Sequence, residues 1–155
     1  MSIDQEVEAL KRVPILRGID QGKLRLLAFI SERVVYGPGE VLCKQGDIGD
    51  SAFIILDGEA DVVVDTDDGP KTVAHVGTND IVGEIAILCD VPRTASVVAN
   101  SEVHALTITK DQFLKMMTEF PEMAIEIMRV LATRLERTTH DLADLRSQMA
   151  RQTGT

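Results

Sequence analysis

The sequence has few of the features that mark a membrane-spanning or secreted protein. No apolar run reaches the roughly 18 residues that a membrane span needs. The N-terminal stretch from Met1 to Leu10 is acidic and broken by charges, which is unlike a secretory signal. The two cysteines, Cys43 and Cys89, lie among apolar neighbours without CxxC spacing. We therefore expect buried, reduced thiols in a cytoplasmic protein that has no membrane partner.

Positive charge is also scarce, since 16 Lys and Arg residues face 25 Asp and Glu residues and the net charge is −9. This balance disfavours a nucleic-acid partner, because duplex binding depends on neutralising phosphates with Lys and Arg. A small anionic ligand would have to be attracted by a local set of donors. Beyond about 8 Å the repulsion from the rest of the molecule is screened, so a local site can still bind an anion.

Histidine is too sparse for a metal-dependent enzyme. The three histidines, His75, His104 and His140, are far apart and form no HxH pair. A cupin-type dioxygenase or isomerase, or a metal-dependent phosphodiesterase, would need a cluster of His and carboxylate ligands. Neither Ser51 nor Ser96 lies in a nucleophile-elbow context. The sequence thus predicts a protein that is not an enzyme and holds no metal or cofactor.

What is present has the order helix, short strands, helix. Hydrophobic content of 45% and charged content of 26% are ordinary globular values. Asp20 is placed to cap a helix whose apolar residues have helical spacing. These residues are Leu24, Leu27, Ala28 and Phe29. The predicted strands are 34–36, 41–43, 52–56, 60–65, 72–76, 94–99 and 103–109. Strands so short and evenly spaced, with glycine at the corners, predict a sandwich or barrel.

The C-terminal part is predicted to be helical. A capping-box pattern opens a helix at Thr109, and Pro121 suits the first turn of another. The apolar seam of that last helix alternates in steps of three and four, with one polar position. It consists of Met128, Leu131, Leu135, Thr138, Leu142, Leu145 and Met149. A seam this long predicts a helix-to-helix homodimer, although a stripe packed on the chain's own barrel is the alternative.

The segment 81–99 carries the chemistry. A strand meets Gly83 and then a short helical turn, whose first backbone N–H groups form a ready anion site. Arg93 returns to the same neighbourhood after Pro92 and can add a guanidinium to that anion. Glu84 makes chemical sense there if its carboxylate accepts hydrogen bonds from sugar hydroxyls. The combination suggests a nucleotide monophosphate.

At these residues the chain resembles the cyclic nucleotide-binding domain family. The match is to the family's phosphate-binding cassette, present here as Gly83-Glu84-Ile85-Ala86 and Pro92-Arg93-Thr94-Ala95-Ser96-Val97. The runs 13–18, 37–40, 45–47 and 53–58 resemble its N-terminal motif and barrel corners. The resemblance implies a mainly β fold with flanking helices: a jelly-roll (double-stranded β-helix) barrel, N-terminal helices, an inserted cassette and a long C-terminal helix. We predict one domain over 1–155, with helices in 1–32, the barrel in 33–109, the cassette in 82–96 and helices in 110–152.

The resemblance also implies the ligand and its contacts. Arg93 would pair with the phosphate, Glu84 would accept the ribose 2′-hydroxyl, and Thr138 and Thr139 would read the base, one of them in the partner subunit. The predicted ligand-binding residues are Gly83, Glu84, Ile85, Ala86, Arg93, Thr94, Ala95, Val73, Val76, Thr138 and Thr139. Of these, Val73 and Val76 would line the base pocket.

The resemblance leaves some alternatives open. A hydroxyl at Thr94 fits both cGMP-selective and cAMP-binding members, while the Thr138-Thr139 pair resembles the catabolite-activator branch and favours cAMP. That branch includes DNA-binding regulators, whose helix-turn-helix would follow the long helix. The chain is then either a free-standing sensor or the regulatory piece of a longer protein. The Met1 start and the polar tail 151–155 favour the first. The effector protein is unknown.

Overall fold

A computed structural model describes residues 2–153, so Met1 and the last two residues of the polar tail lie outside the described residues. Helix α1 is Ile3–Leu10, a 3-10 helix follows at Pro14–Leu16, and α2 is Gln21–Ile30. The strands are β1 Glu32–Tyr36, β2 Val41–Cys43, β3 Ser51–Asp57, β4 Glu59–Thr66, β5 Gly69–Gly77, β6 Ile81–Val82, β7 Ser96–Ala99 and β8 Val103–Thr109. Helix α3 is Glu84–Leu88, α4 is Lys110–Glu119 and α5 is Pro121–Thr153.

The eight strands form two antiparallel four-stranded sheets. One sheet has the order β1-β8-β3-β6 and the other β2-β7-β4-β5. Helix α3 follows β6 directly, so the segment 81–99 leaves one sheet and returns in the other. The prediction of a mainly β jelly-roll barrel with flanking helices and a long C-terminal helix is confirmed.

Two apolar clusters hold these layers together, and β3 contributes to both. Its run Ala52–Leu56 is buried throughout, unlike a strand with one solvated face. Ile54 belongs to the cluster shared with the flanking helices, whereas Phe53 and Ile55 belong to the interior of the barrel. Because successive side chains of a strand point to opposite faces, an unbroken apolar run is what a strand packed on both sides requires.

The helix starts form as the sequence predicts. The Asp20 side chain accepts a hydrogen bond from the Lys23 backbone N–H at 3.0 Å. The Thr109 hydroxyl accepts one from the Gln112 N–H, and the Gln112 side chain accepts one from the Thr109 N–H, both at 3.3 Å. These contacts satisfy N–H groups that have no partner within the helix. Phe29 differs from the expectation, because it lies off the buried face of α2 and is 75% exposed.

Two further expectations are corrected by the structure. Cys89 is exposed, since it caps the end of the short helix α3 at the surface, whereas Cys43 is half-buried. The strand predicted from Thr94 begins at Ser96. Arg93 lies outside the strand because its N–H donates to the Asp47 carbonyl at 2.8 Å and its carbonyl accepts from the Gly46 N–H at 2.9 Å. Within the described range, no helix combines the length and apolarity needed to cross a bilayer.

Candidate functional site

A cavity of about 300 Å³ lies between the barrel, the cassette and helix α5. Its wall combines apolar residues of β5 and β7 with charged and polar residues of the cassette and α5. Its volume is within the range of small-molecule pockets, whose walls are mostly apolar with a few polar groups. The predicted residues on this wall are Val73, Val76, Gly83, Glu84, Ile85, Ala86, Arg93, Thr94, Ala95 and Thr138.

Arg93 is the least accessible cation on the cavity wall, with only 6% of its surface exposed. Its Nη1 donates to the Gly83 carbonyl at 2.9 Å and its Nη2 to the Ser51 carbonyl at 2.7 Å. The guanidinium also lies against the Phe53 ring, 5.8 Å from the ring centroid. Two carbonyls and a ring fix its orientation. Within residues 2–153, however, no carboxylate lies within ion-pair distance of it. A buried cation without a counter-ion is costly, so this position favours an anionic ligand.

Gly83 makes the approach of Arg93 possible. It occupies the left-handed region at φ +86°, immediately before α3. A Cβ atom at this position would lie 2.6 Å from Arg93 Nη1 and 3.1 Å from the Ser51 carbonyl oxygen. The next residues begin α3, and Ile85 and Ala86 both line the cavity. The cassette thus brings the start of a helix and a fixed guanidinium to one wall.

Glu84 is nearly inaccessible, with 1% of its surface exposed. Burial raises the pKa of its carboxyl above the ordinary value, and the neighbouring Arg134 guanidinium opposes this shift. Arg134 Nη1 donates to Glu84 Oε1 at 2.5 Å, while its Nη2 donates to the Ile81 carbonyl at 2.8 Å. Helix α5 is thereby tied to the cassette through the carboxylate that the sequence assigns to a sugar hydroxyl.

Arg134, Arg137 and Asp141 also line the cavity, although the sequence did not predict these three as ligand-binding residues. Counted from Arg134, the residues Arg137, Thr138 and Asp141 follow at i+3, i+4 and i+7, and that spacing places them on one face of a helix. The sequence therefore contains a signal for the missed residues, namely this polar stripe of Arg134, Arg137, Thr138 and Asp141, which runs beside the apolar seam. Counting the wall residues, three guanidiniums face two carboxylates, which leaves one local positive charge in a molecule of net charge −9.

Thr139 is the one predicted residue that is not on the cavity wall. It lies on the outer side of α5 in a shallow depression with Leu135 and His140. One residue turns a helix by about 100°, and this rotation carries the Thr139 side chain off the face that Arg134, Thr138 and Asp141 share. Thr138 faces the chain's own cavity, and Thr139 faces away from it.

The cavity wall offers little to a metal ion. Across residues 2–153, no group of three or more His, Cys, Asp or Glu side chains is arranged to hold one. Cys43 lies on the wall, and burial raises the pKa of its thiol, which favours the neutral form. With a guanidinium, the start of a helix and apolar strand residues on its wall, the cavity can hold a small anion that also has hydroxyl groups and a flat, partly apolar portion.

Comparison with known proteins gives a family match. A family model described as the cyclic nucleotide-binding domain matches residues 33–120. A CRP-like cAMP-activated global transcriptional regulator of Mycobacterium tuberculosis is 31% identical over 139 residues, which cover 89% of this chain and 62% of that protein. The cAMP-dependent protein kinase regulatory subunit of Dictyostelium discoideum is 34% identical over 120 residues, 75% of this chain and 37% of that subunit. The chain thus spans less than two thirds of these relatives.

Solved structures show the same fold. The catabolite activator protein of Thermus thermophilus has a TM-score of 0.76 and 25% identity, over 85% of this chain and 62% of that one. The regulatory subunit of a cAMP-independent protein kinase A from Trypanosoma brucei has a TM-score of 0.74 and 28% identity, over 84% of this chain and 47% of that one. Proteins of this architecture thus include one described as independent of cAMP, so the shared fold by itself does not identify the nucleotide.

Proposed function

The chain belongs to the cyclic nucleotide-binding domain family, as its cassette predicted. From this premise we propose that it is a regulatory sensor that binds cAMP in preference to cGMP. It does not catalyse a reaction of the bound nucleotide. The observation that carries the proposal is the buried Arg93, held by two carbonyls on the cavity wall without a carboxylate in ion-pair distance among the described residues. A cyclic phosphodiester supplies one negative charge there. Charge-assisted hydrogen bonds from a planar guanidinium suit such an anion.

The remaining contacts follow from the same pose. The phosphate lies between Arg93 and the start of α3, the ribose 2′-hydroxyl donates to Glu84, and the base extends along β5 towards α5. Val73 and Val76 of β5 supply the apolar part of the cavity wall. Thr138 faces the base from the helix. The preference for cAMP is supported by the resemblance of the Thr138-Thr139 pair to the catabolite-activator branch and by relatives whose names specify cAMP.

Arg93→Ala tests the phosphate contact. We expect affinity for cAMP to fall by roughly 1.5–3 kcal/mol, the range for hydrogen bonds to a charged group. Isothermal titration calorimetry measures this loss of affinity. Chromatography of the cAMP recovered after the titration should show that the nucleotide itself is chemically unchanged. Arg146→Ala, which removes an exposed arginine outside the cavity, is the control.

The test also needs a variant that keeps the charge, because Arg93 is buried and its loss can disturb folding. Arg93→Lys retains a cation but cannot form the planar two-pronged contact. We expect this variant to melt close to the wild type and still to bind cAMP more weakly. Unchanged affinity for cAMP in both folded variants would contradict the assignment of Arg93 to the phosphate. Conversion of cAMP to AMP would contradict the proposal that the protein is not an enzyme.

We propose that α5 reports occupancy by moving relative to the barrel. Glu84 and Arg93 lie in the cassette, which is inserted in the barrel, whereas Arg134 and Thr138 lie on the helix. A ligand shifts such an equilibrium only by its differential affinity for the two helix positions. The cassette holds the ligand in both states. The helix contacts exist only when α5 is closed, so they carry the coupling.

We further propose that α5 joins two copies of the chain. Met128, Leu135, Leu142 and Met149 recur every seven residues, and together with Leu145 they are 49–68% exposed. Leu131 instead packs against the core, and Thr138 lines the cavity. One heptad position thus remains free for a partner helix, and the other is shared with the barrel. Thr139 lies beside Leu135 and would be at the interface, next to the partner's ligand.

A second candidate role is that of the regulatory part of a transcription regulator. It is favoured by the 31% identity to the Mycobacterium tuberculosis regulator, of which this chain covers 62%. The net charge of −9 argues against DNA binding by these residues themselves. A gel shift of duplex DNA at physiological salt would show that this chain does bind nucleic acid. We further propose that the protein is located in the cytoplasm and acts on an effector protein, which is unidentified.

A further inference from the structure

The outer surface beside the cassette carries an apolar patch. Helix α3 and the loop after it expose Leu88 and Val91, at 38% and 39% of their surface. The loop between β2 and β3 exposes Ile48, at 87%. We call these three residues the cassette patch. Single exposed apolar residues are common on proteins, but a cluster of them marks a surface that another molecule can cover.

Backbone packing holds the two segments of the cassette patch together. The Arg93 N–H donates to the Asp47 carbonyl at 2.8 Å. A Cβ atom at Gly49 would collide with Ala86 Cβ, so the loop lies directly against α3. Ile48 lies between these two contacts. It is therefore held beside the exposed end of α3 and the loop that follows this helix.

The surroundings of the cassette patch are acidic. The segments 46–51 and 88–92 contain no Lys or Arg but three exposed aspartates, namely Asp47, Asp50 and Asp90. Helix α4 adds Lys110, whose Nζ donates to Asp90 at 3.1 Å and whose N–H donates to the Asp50 carbonyl at 2.8 Å. Counting the chain neighbours Lys44 and Asp111 as well, four carboxylates face two ammonium groups. The local charge is negative.

This charge restricts what can cover the cassette patch. A second copy of the chain in a symmetric contact would bring the same aspartates against each other. An anionic lipid surface attracts basic segments and would be repelled by these carboxylates. Electrostatic complementarity instead favours a protein with Lys or Arg around its apolar contacts. An amphipathic helix with anchors at i, i+3 and i+4 presents a few apolar side chains within such a rim.

We propose that the cassette patch is the docking surface for the effector, a protein that presents a basic amphipathic helix. The inference rests on the proposed function for the role of this partner, because the patch and the anion site share one short segment. The Arg93 side chain lies on the cavity wall, while its backbone holds the loop that carries Ile48. Nucleotide and effector are therefore coupled, and each changes the affinity for the other by the same factor.

Fluorescence anisotropy with three synthetic helical peptides tests the chemistry of the partner. The peptides share their leucine positions and differ only in the flanking residues, which are Lys, Gln or Glu. At physiological salt we expect the Lys peptide to bind about tenfold more tightly than the Gln peptide, and the Glu peptide to bind most weakly. Equal binding of the three peptides, or tightest binding of the Gln or Glu peptide, overturns the inference.

The double variant Ile48→Ser with Val91→Ser tests the location. Burial of two apolar side chains is lost, so affinity for the Lys peptide should fall about tenfold or more. Both residues lie outside the cavity wall, and unchanged binding of cAMP shows that the variant is folded. Leu26→Ser with Phe29→Ser is the matched control, since it removes two exposed apolar side chains of α2 and should leave peptide affinity unchanged. Wild-type peptide affinity in the folded patch variant overturns the inference.

Further measurements separate the other occupants and the proposed function. If the patch variant instead lowers self-association in sedimentation, or removes binding to anionic vesicles, a second copy or a membrane covers the patch and the inference is wrong. Affinity for the Lys peptide should differ severalfold with and without saturating cAMP, and equal values overturn the role as effector contact. If the wild type does not bind cAMP, the proposed function fails, while the peptide comparison without nucleotide still decides the docking.

Discussion

At the scale of single residues, the site depends on one position without a side chain. Gly83 combines a positive φ with the close approach of Arg93 Nη1, so a Cβ atom is opposed by backbone conformation and by packing. Gly39 shares the φ of +86° but has no atom within 4 Å of its hypothetical Cβ. The two glycines therefore separate the cost of backbone strain from the cost of displacing Arg93.

Replacing each of these glycines by alanine measures the two costs. Gly39→Ala should lose about 1–2 kcal/mol of unfolding free energy, the cost of a left-handed conformation for a residue with a side chain. Gly83→Ala should lose more and should also bind cAMP several-fold more weakly, because the guanidinium must move. Urea unfolding and calorimetry on both variants give these values. Equal stability losses with normal cAMP affinity in Gly83→Ala would show that the position of Arg93 is not critical.

At the scale of elements, α5 has one face that packs against the core and the cavity and a second, apolar face that is exposed. Met123 and Ile127 are buried near its start, while Arg134 and Thr138 meet the cavity further along. The apolar residues at the seven-residue spacing lie on a different side and remain exposed. In the dimer proposed above, this helix would contact the ligand on one side and the partner on the other, and could transmit occupancy of the cavity to the interface.

Leu135→Asp tests the outer face. A charge in the centre of the exposed seam should separate the proposed dimer into monomers, because the charge would be buried without a counter-ion against the partner helix. Sedimentation velocity measures the change. Thr133→Asp is the control, since it places the same charge on an exposed residue of the same helix outside the seam. If Leu135→Asp sediments as a dimer, the seam is not the interface.

At the scale of the whole molecule, the electrostatics of the cavity and of the surface oppose each other. The cavity wall has one more guanidinium than carboxylate, while the chain carries a net charge of −9. An anionic nucleotide is repelled at long range and attracted at short range. The Debye length shortens from about 30 Å at 0.01 M salt to about 8 Å at 0.15 M, so added salt screens the repulsion first.

The association rate of a fluorescent cyclic nucleotide should therefore rise with salt. We expect an increase of roughly two- to fivefold between 0.01 M and 0.15 M NaCl, measured by stopped-flow fluorescence. The variant with both Asp67→Asn and Asp68→Asn lowers the magnitude of the net charge from −9 to −7 without altering the cavity wall, and it should respond less. A rate that falls as salt is added would mean that the local guanidiniums dominate at all distances.

The parts of this protein that local patterns determine were predictable from the sequence. Caps at Asp20 and Thr109, the short β-rich runs and the cassette each depend on residues close together in the chain, and each is visible as a spacing. The family and the barrel followed from them. Most of the residues that these patterns predicted for the site line one cavity, because the cassette that contains them is nearly continuous in sequence.

Tertiary packing decided the rest. Only the packing of α5 against the barrel places Arg134 on Glu84, brings Asp141 to the cavity and turns Thr139 away from it. Glu84 and Arg134 are 50 residues apart, so no local spacing relates them. The exposure of Cys89 and Phe29 was likewise settled by where their helices meet the surface. A sequence pattern determines which side of a helix is apolar or polar, but the neighbours of each side depend on how the whole chain packs.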